Sequence, residues 1–488
     1  MGIQSWRNIP FPRFLVIVVA SIFLLSCIDE RGGTDINNIN SDSSTDDAAS
    51  QYYVALTGSD ATGDGSLVAP WQTLQHAVRS VPSGETGVTL NLRAGVYQLT
   101  DAIVIDSQHS RSEENRLTIK SYEGESAILD GTLIPKYGAM VSVRNASYVT
   151  LERLELTNLI GNKTGIHVTG YSSDIKISNN KIHGMHWTID PSAAKNPAPE
   201  DNLNPIAIVG DSPDPMRNIS VVENKVYNLT TGYSEAIKIT GNVDGFLVEN
   251  NEVYDVSNIG IVAAGNYSWV GLEDARLNHA RSGIIRKNEV YRCVSPVAAS
   301  AGIYVDGARN ITVVDNNSHH NTVGFSVGSE QPGEAGDIVL SNNIAEDNSQ
   351  AGVVIGTISA DSMVNGVKLT GNKMQGNYTI PVWGGAPIII NKSKNVSIEA
   401  NEISSISQYM ITVNAESDQL RLNNNRYNST AVDAAQAVFS WAGIDNQTYT
   451  SFASYQSATG QDAFSKFGNS GSGIFTRILE SIKKLFVK

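Results

Sequence analysis

From about residue 149 the chain repeats one short pattern, apolar-x-apolar-x-x-Asn-x-apolar. It reads Ile175, Ile177, Asn180, Ile182, then Ile219, Val221, Asn224, Val226, then Phe246, Val248, Asn251, Val253. The Asn returns at Asn288, Asn316, Asn343, Asn372, Asn401 and Asn425, with successive spacings of 44, 27, 37, 28, 27, 29, 29 and 24 residues. Period-two alternation marks short strands, and Asn and Gly mark the bends between them. A period in the twenties without helical stretches predicts an all-β solenoid, the parallel β-helix. One coil cannot bury its own inner face, so stacking supplies the core, and the recurring Asn is expected to form a side-chain ladder at one bend.

The pattern also places the ends. Residues 51–148 are expected to form an N-terminal cap and the first coils, 149–450 the regular β-helix, and 451–488 a tail, with about ten coils in all between residues 50 and 450. Trp71, Leu74, Ala77, Val78 and Val81 recur at helical spacing, which predicts an amphipathic helix over Pro70–Val81 covering the open first turn. Beyond Leu422 the repeat fades. In the tail Phe475, Ile478, Leu479, Ile482, Leu485 and Phe486 share one helical face beside Arg477, Lys483, Lys484 and Lys488, which suits either a cap on the last coil or a helix lying on a membrane.

At the other end, Arg7 and Arg13 precede the apolar run Phe14–Leu25, too short to span a bilayer and shaped like a signal peptide over residues 1–26. Leu24-Leu25-Ser26-Cys27 resembles a bacterial lipobox, which implies lipidation of Cys27, a polar tether over 27–50, and a protein anchored in the cell envelope at the outer membrane, facing the periplasm or the cell surface. The remaining cysteine, Cys293, is then a small buried hydrophobe. The chain has 35 Lys and Arg against 49 Asp and Glu; removing Arg7 and Arg13 leaves 33 against 49, a formal charge of −16. That excludes a nucleic-acid partner and disfavours a long polyanion. The partners expected are a polysaccharide or oligosaccharide and, through Cys27, the membrane; the chain is expected to be a monomer.

Two Asn intervals are too long, and they mark insertions near Gly184–Leu203 and at Asn266–Arg281. Long loops on a rigid scaffold commonly carry binding residues. Trp187 and Trp269 are candidate stacking platforms for sugar rings. Aligning the strands gives one outward column, His167, Ala207, Lys238, Val262, Tyr304, Ser326, Val354, and a second two residues on, Thr169, Val209, Thr240, Ala264, Asp306, Gly328, Gly356. Glu235 stands just before its strand and Glu330 just after its own. Lys238, Tyr304, Asp306, Glu330 and Glu235 are therefore the candidate catalytic residues, with His167 and Arg281 beside them as substrate contacts. Asp306 and Glu330 should sit about one rung apart on the outer surface, ~4.8 Å.

Several stretches carry a resemblance. Tyr52-Tyr-Val with Gly58-Ser-Asp and Gly63-Asp-Gly-Ser66, then Ala69-Pro-Trp-Gln-Thr-Leu-Gln-His-Ala77, resemble the opening of bacterial right-handed parallel β-helix carbohydrate-active enzymes. Leu92-Arg-Ala-Gly-Val-Tyr97, Leu117–Glu125, Leu129-Asp-Gly131 and the late segment Ser451–Ser465 continue it. Within that group, Ile303-Tyr-Val-Asp306-Gly followed by Val327-Gly-Ser-Glu330 is similar to the β-helical glycosidases that include β-xylosidases, which implies Asp306 as nucleophile and Glu330 as acid/base. The Asp-Asp-Gly-Trp-Asp cluster of β-helical pectate lyases, the Arg-His-Gly element of the chondroitinase B and alginate lyase group and the Asp-Pro-His-Asp motif of mannuronan epimerases do not occur in the sequence.

Three readings stay open. A glycoside hydrolase uses one carboxyl as acid and one as ionised carboxylate, ~5–5.5 Å apart for retention and ~6.5–9.5 Å for inversion. A polysaccharide lyase would use Lys238 or Tyr304 as the base, with Arg281 or a metal neutralising a uronate. A surface glycan-binding β-helix would do no chemistry. None requires a cofactor or a metal site, although a carboxylate pair also suits Ca2+.

Overall fold

The computed structural model describes residues 49–468 apart from 83, 85, 358, 381–384, 415 and 442–446. The signal peptide, Cys27, the tether to Ala48 and the amphipathic tail from Phe475 lie outside the described residues.

Three parallel sheets wind around one core, with 13, 14 and 13 strands. The first begins Ser50–Val54, Val88–Leu92, Leu117–Ser121 and ends at Asp418–Asn423; the second runs from Gly95–Gln98 to Lys466–Gly468. The third starts at Ile103–Ile105 and closes on Val438–Trp441, where Gln447–Tyr449 adds the one antiparallel pairing among the described strands. Inside, Ile, Val and Leu from all three sheets form one continuous buried cluster. Each such side chain contributes about 1.5–3 kcal/mol once its neighbours close over it, which a lone coil cannot achieve.

The solenoid is longer than the ten coils expected from the sequence. The entry region supplies complete strands to all three sheets, and strands continue past Leu422 at Arg426–Ser429 and Val438–Trp441. The early coils escape the pattern because their corner position is apolar. Leu154 occupies it one coil before Asn180, and its backbone N–H donates to Asn180 Oδ1 at 3.0 Å.

From Asn180 onward the corner is a ladder. Each Asn Oδ1 accepts from the backbone N–H and the Nδ2 of the Asn one coil earlier, as Asn224 does for Asn180 at 3.0 Å each. Its Nδ2 also donates to a carbonyl of the previous coil, Asn224 to Ile177 at 2.9 Å. The preceding residue bends left-handed, even where it is Glu223 (φ 58°) or Lys287 (φ 54°). The last rung, Asn425, donates to Asp462 Oδ1 at 3.0 Å, and Tyr427 and Tyr455 donate their hydroxyls to Oδ2 at 2.8 and 2.9 Å.

Both ends are capped. The N-terminal helix, Leu74–Ser80, is shorter than the 70–81 expected. Asp60 accepts from the backbone of Gln72 and Thr73 and from the Thr73 hydroxyl at 2.7–2.9 Å, holding that stretch extended, and Thr73 then caps the helix. At the far end the helix Phe452–Thr459 buries Phe452 and Tyr455 over Phe439, with Tyr455 stacked on it at 4.1 Å.

Candidate active site

The third sheet's outward column has the register expected from the sequence: His167 pairs with Ala207, then Lys238, Val262, Tyr304, Ser326 and Val354 in turn. The second column is not on the surface. Residues 266–281 leave the strand Ile261–Ala264, turn twice, at Ser268–Val270 and Ala275–Leu277, and fold back over the sheet. Val270 is buried on Ala207 and Val209, and Tyr267 packs on Ile259, Val262 and Ala264.

Asp306, the last residue of Ala301–Asp306, is consequently 2 % exposed rather than at the surface. Its Oδ1 accepts the backbone N–H of Glu330 at 2.7 Å, and its Oδ2 accepts the Tyr267 hydroxyl at 2.5 Å. The same phenolic oxygen lies 3.2 Å from Glu330 Oε2, so the two carboxyls come within about 6 Å of each other. One phenolic proton serves one carboxylate at a time. The shorter contact gives it to Asp306, and the Glu330 contact is then satisfied when Glu330 holds a proton and donates to the phenol.

Both carboxyls are shifted toward their protonated forms. Burial raises the pKa of Asp306 and the Glu330 charge adds to it, against the lowering by the Tyr267 and Glu330 N–H bonds. Glu330 is exposed toward the groove; partial desolvation of its carboxyl raises its pKa, and the Glu235 charge raises it further. Burial, then the neighbouring carboxylates, keep Tyr267 and Tyr304 protonated.

A groove runs over this point in two halves. One cavity, about 580 Å³, is lined by His167, Glu235, Lys238, Tyr267, Trp269 and Glu330 and bordered by Pro199 and Asn202 of the first insertion. The other, about 650 Å³, is lined by Tyr304, Ser326, Val354, Ile389 and the loop Ser295–Ala299. Ala298, Ala299 and Glu330 border both. Among the described residues no three His, Cys, Asp or Glu side chains are placed to hold one metal ion.

A family model described as "Pel9A-like, right handed beta helix region" matches residues 52–395. The chain belongs to this Pel9A-like family. Among relatives, Bacillus subtilis (strain 168) YwoF, described as an uncharacterized protein, is 28% identical over 440 residues, covering 84% of this chain and 86% of YwoF. Pectate lyase PEL9 of Emericella nidulans is 32% identical over 122 residues, 22% of this chain and 28% of that protein. The GH136 lacto-N-biosidase from Eubacterium ramulus superposes with a TM-score of 0.53 at 14% identity, covering 78% and 67% of the two chains, a likeness of fold.

On the Pel9A-like scaffold the residues singled out in the sequence separate into groups. Glu235, Lys238, His167, Trp269 and Glu330 share one cavity, Tyr304 lines the other, and Asp306 lies beneath Tyr267. Lys238 Nζ contacts Glu235 Oε2 at 2.8 Å, donates to Asn204 Oδ1 at 3.0 Å and stands 5.6 Å from the centre of the Trp269 ring. Burial lowers the pKa of His167, which leaves it neutral. Trp187 is not on the groove: it is half-buried and packs against the core. Arg281 is not there either; it opens a first-sheet strand, pairs with Asp244 at 3.4 Å and donates to Asn242 at 2.9 Å. It therefore cannot neutralise a substrate acid beside Asp306. The sequence reading missed Tyr267, whose only signal was its place at the head of the long insertion. It also missed the loop 295–299, which falls in an interval of ordinary length.

Proposed function

We propose that the chain is a glycoside hydrolase acting with retention, with Glu330 as acid/base and Asp306 as nucleophile. The observation that supports this most is the pair of carboxyls bridged by one phenol, whose contacts of 2.5 and 3.2 Å hold two of their oxygens no more than about 6 Å apart, a limit that admits the ~5–5.5 Å of retaining enzymes. In the first step Glu330 protonates the glycosidic oxygen as its bond to the anomeric carbon breaks. Asp306, uncovered as the Tyr267 ring shifts off its Oδ2, forms a bond to that carbon. Water then attacks the anomeric carbon, gives its proton to Glu330 and releases Asp306. The raised pKa of Glu330 is in the direction a general acid needs, and the Tyr267 hydroxyl and the Glu330 N–H donating to Asp306 favour the ionised form of the nucleophile against its burial. By the lipobox reading, this chemistry takes place on a protein anchored through Cys27 in the envelope.

A second reading, β-elimination on a uronate polymer, is favoured by the likeness to the Emericella nidulans pectate lyase and by Lys238 in the groove. Against it, Glu235 pairs with that lysine, Tyr304 stays protonated, and the described residues of the groove offer a polyanion carboxyls and no unpaired cation. Products of a glycan panel decide. New reducing ends without a conjugated C4–C5 double bond, with retained anomeric configuration, are expected; an unsaturated product overturns the proposal.

A further inference from the structure

We infer that the second half of the groove is a subsite for an uncharged sugar carrying a methyl group, an acetamido or a 6-deoxy sugar, next to the bond that Glu330 protonates. The inference rests on the hydrolase reading of that pair. Its basis is a break in the rule that outward strand positions are polar. Tyr304, Ser326, Val354 and Ile389 follow one another in register across four strands. Ala301, Val323, Ala351 and Ile389 are buried together in a cluster of their own, separate from the solenoid core, with Tyr304 and Val354 packed on it. All six line the cavity, and Pro296 and Val297 form its opposite side.

The charge balance excludes the alternatives. Among the described lining residues of this half there is no Lys, Arg or His, and Glu330 is the one carboxyl. A uronate seated here would meet Glu330 with Asp306 behind it and find no cation. An unsubstituted hexose would press a hydroxyl against Val354 or Ile389 and leave it without a partner, which is unfavourable. A methyl group in its place fills apolar space, while Ser326, Gln350 and Thr357 at the edges remain for hydroxyl or amide hydrogen bonds. The volume, about 650 Å³, is ample for such a unit. The half containing Lys238 and Trp269 is more polar, so the discrimination is confined to one side of the scissile bond.

The test uses the whole chain and disaccharides in α and β linkage, grouped by parent hexose: acetamido and 6-deoxy members, the unsubstituted parent and the uronate. A methyl-bearing member should exceed its parent in kcat/KM by about tenfold or more, and the acetamido and deoxy arms show which group is seated. Val354→Asp should bring the ratio to about one, as should Ser326→Glu, made at a position already polar and half-buried. Members that are not cleaved are compared by titration calorimetry, with the same order expected in Kd. Preference for the parent or uronate, or a ratio unmoved by a folded variant, overturns the methyl subsite and leaves the hydrolase reading standing. Unsaturated products overturn the hydrolase reading, and the subsite is then decided by the binding order alone. No binding by any member overturns the subsite.

Discussion

The asparagine corner and the groove are built on the same coils and obey opposite rules. At the corner every rung repeats the last: from Asn180 to Asn401, Oδ1 of the next Asn takes two donors and Nδ2 reaches back to a carbonyl. In the groove no rung repeats. The column His167, Ala207, Lys238, Val262, Tyr304, Ser326, Val354 changes chemistry at each step, and the buried Thr240 hydroxyl beside it has no partner within the protein. Repetition satisfies the buried backbone, and the solenoid's stability resides there. Abandoning repetition over one face, with the insertion 266–281 laid across it, is what brings the exposed Glu330 beside the buried Asp306.

Substitutions on the two sides should therefore read out differently. The largest effect is expected in the groove: Asp306→Asn and Glu330→Gln should each lower kcat by ~10³-fold or more, with circular dichroism unchanged. Asp306→Asn should also alter the pH dependence of stability. With its folded pKa above the unfolded 3.8, Asp306 binds more protons folded than unfolded, so its contribution falls as pH rises from about 4 toward the folded pKa. Urea titrations across that range should show a flatter profile for the variant, and an unchanged slope would contradict a buried, raised Asp306.

Next in size is the corner. Asn288→Ala removes the acceptor for two Asn251 donors and leaves the carbonyls of Val248 and Arg286 short of a donor. Unpaired buried groups cost about 1–3 kcal/mol each, so a loss of roughly 3 kcal/mol in urea unfolding is expected, with kcat of the folded fraction unaltered. Tyr267→Phe is intermediate: it keeps the packing and removes the bridging proton, and should lower kcat by about 10–100-fold, with the buried Asp306 Oδ2 left short of a donor at about 1–3 kcal/mol in urea unfolding. A Tyr267→Phe chain as active as the parent would remove the phenol from the mechanism.

What could be read in the sequence divides along the same line. Wherever coils repeat, spacing alone placed strands, ladder and even the cross-strand register from His167 to Val354. It failed where corner chemistry changed, as at Leu154, and the coil count came out short. Spacing also cannot say which way an insertion folds. Nothing in the pattern distinguishes a loop that leans over the third sheet, carrying Tyr267 onto Asp306, from one that projects into solvent. For the same reason Arg281 looked like a groove residue when it begins a strand of the first sheet.

The two tryptophans sharpen the comparison at its smallest scale. Both stand in insertions and both were candidates for stacking on sugar. Trp269 is 57% exposed on the groove with the Lys238 ammonium near one side of its ring, whereas Trp187 is packed on the core. Loss of an exposed stacking face removes about 1 kcal/mol of binding, so Trp269→Ala should raise KM roughly fivefold and leave unfolding nearly unchanged. Trp187→Ala opens a partly filled space beside the core and should instead lower stability by about 2–3 kcal/mol with KM nearly constant. Measured on the same substrate and in the same denaturant, the pair should separate cleanly. A KM effect from Trp187, or a stability loss from Trp269, would place the boundary between scaffold and groove in the wrong insertion.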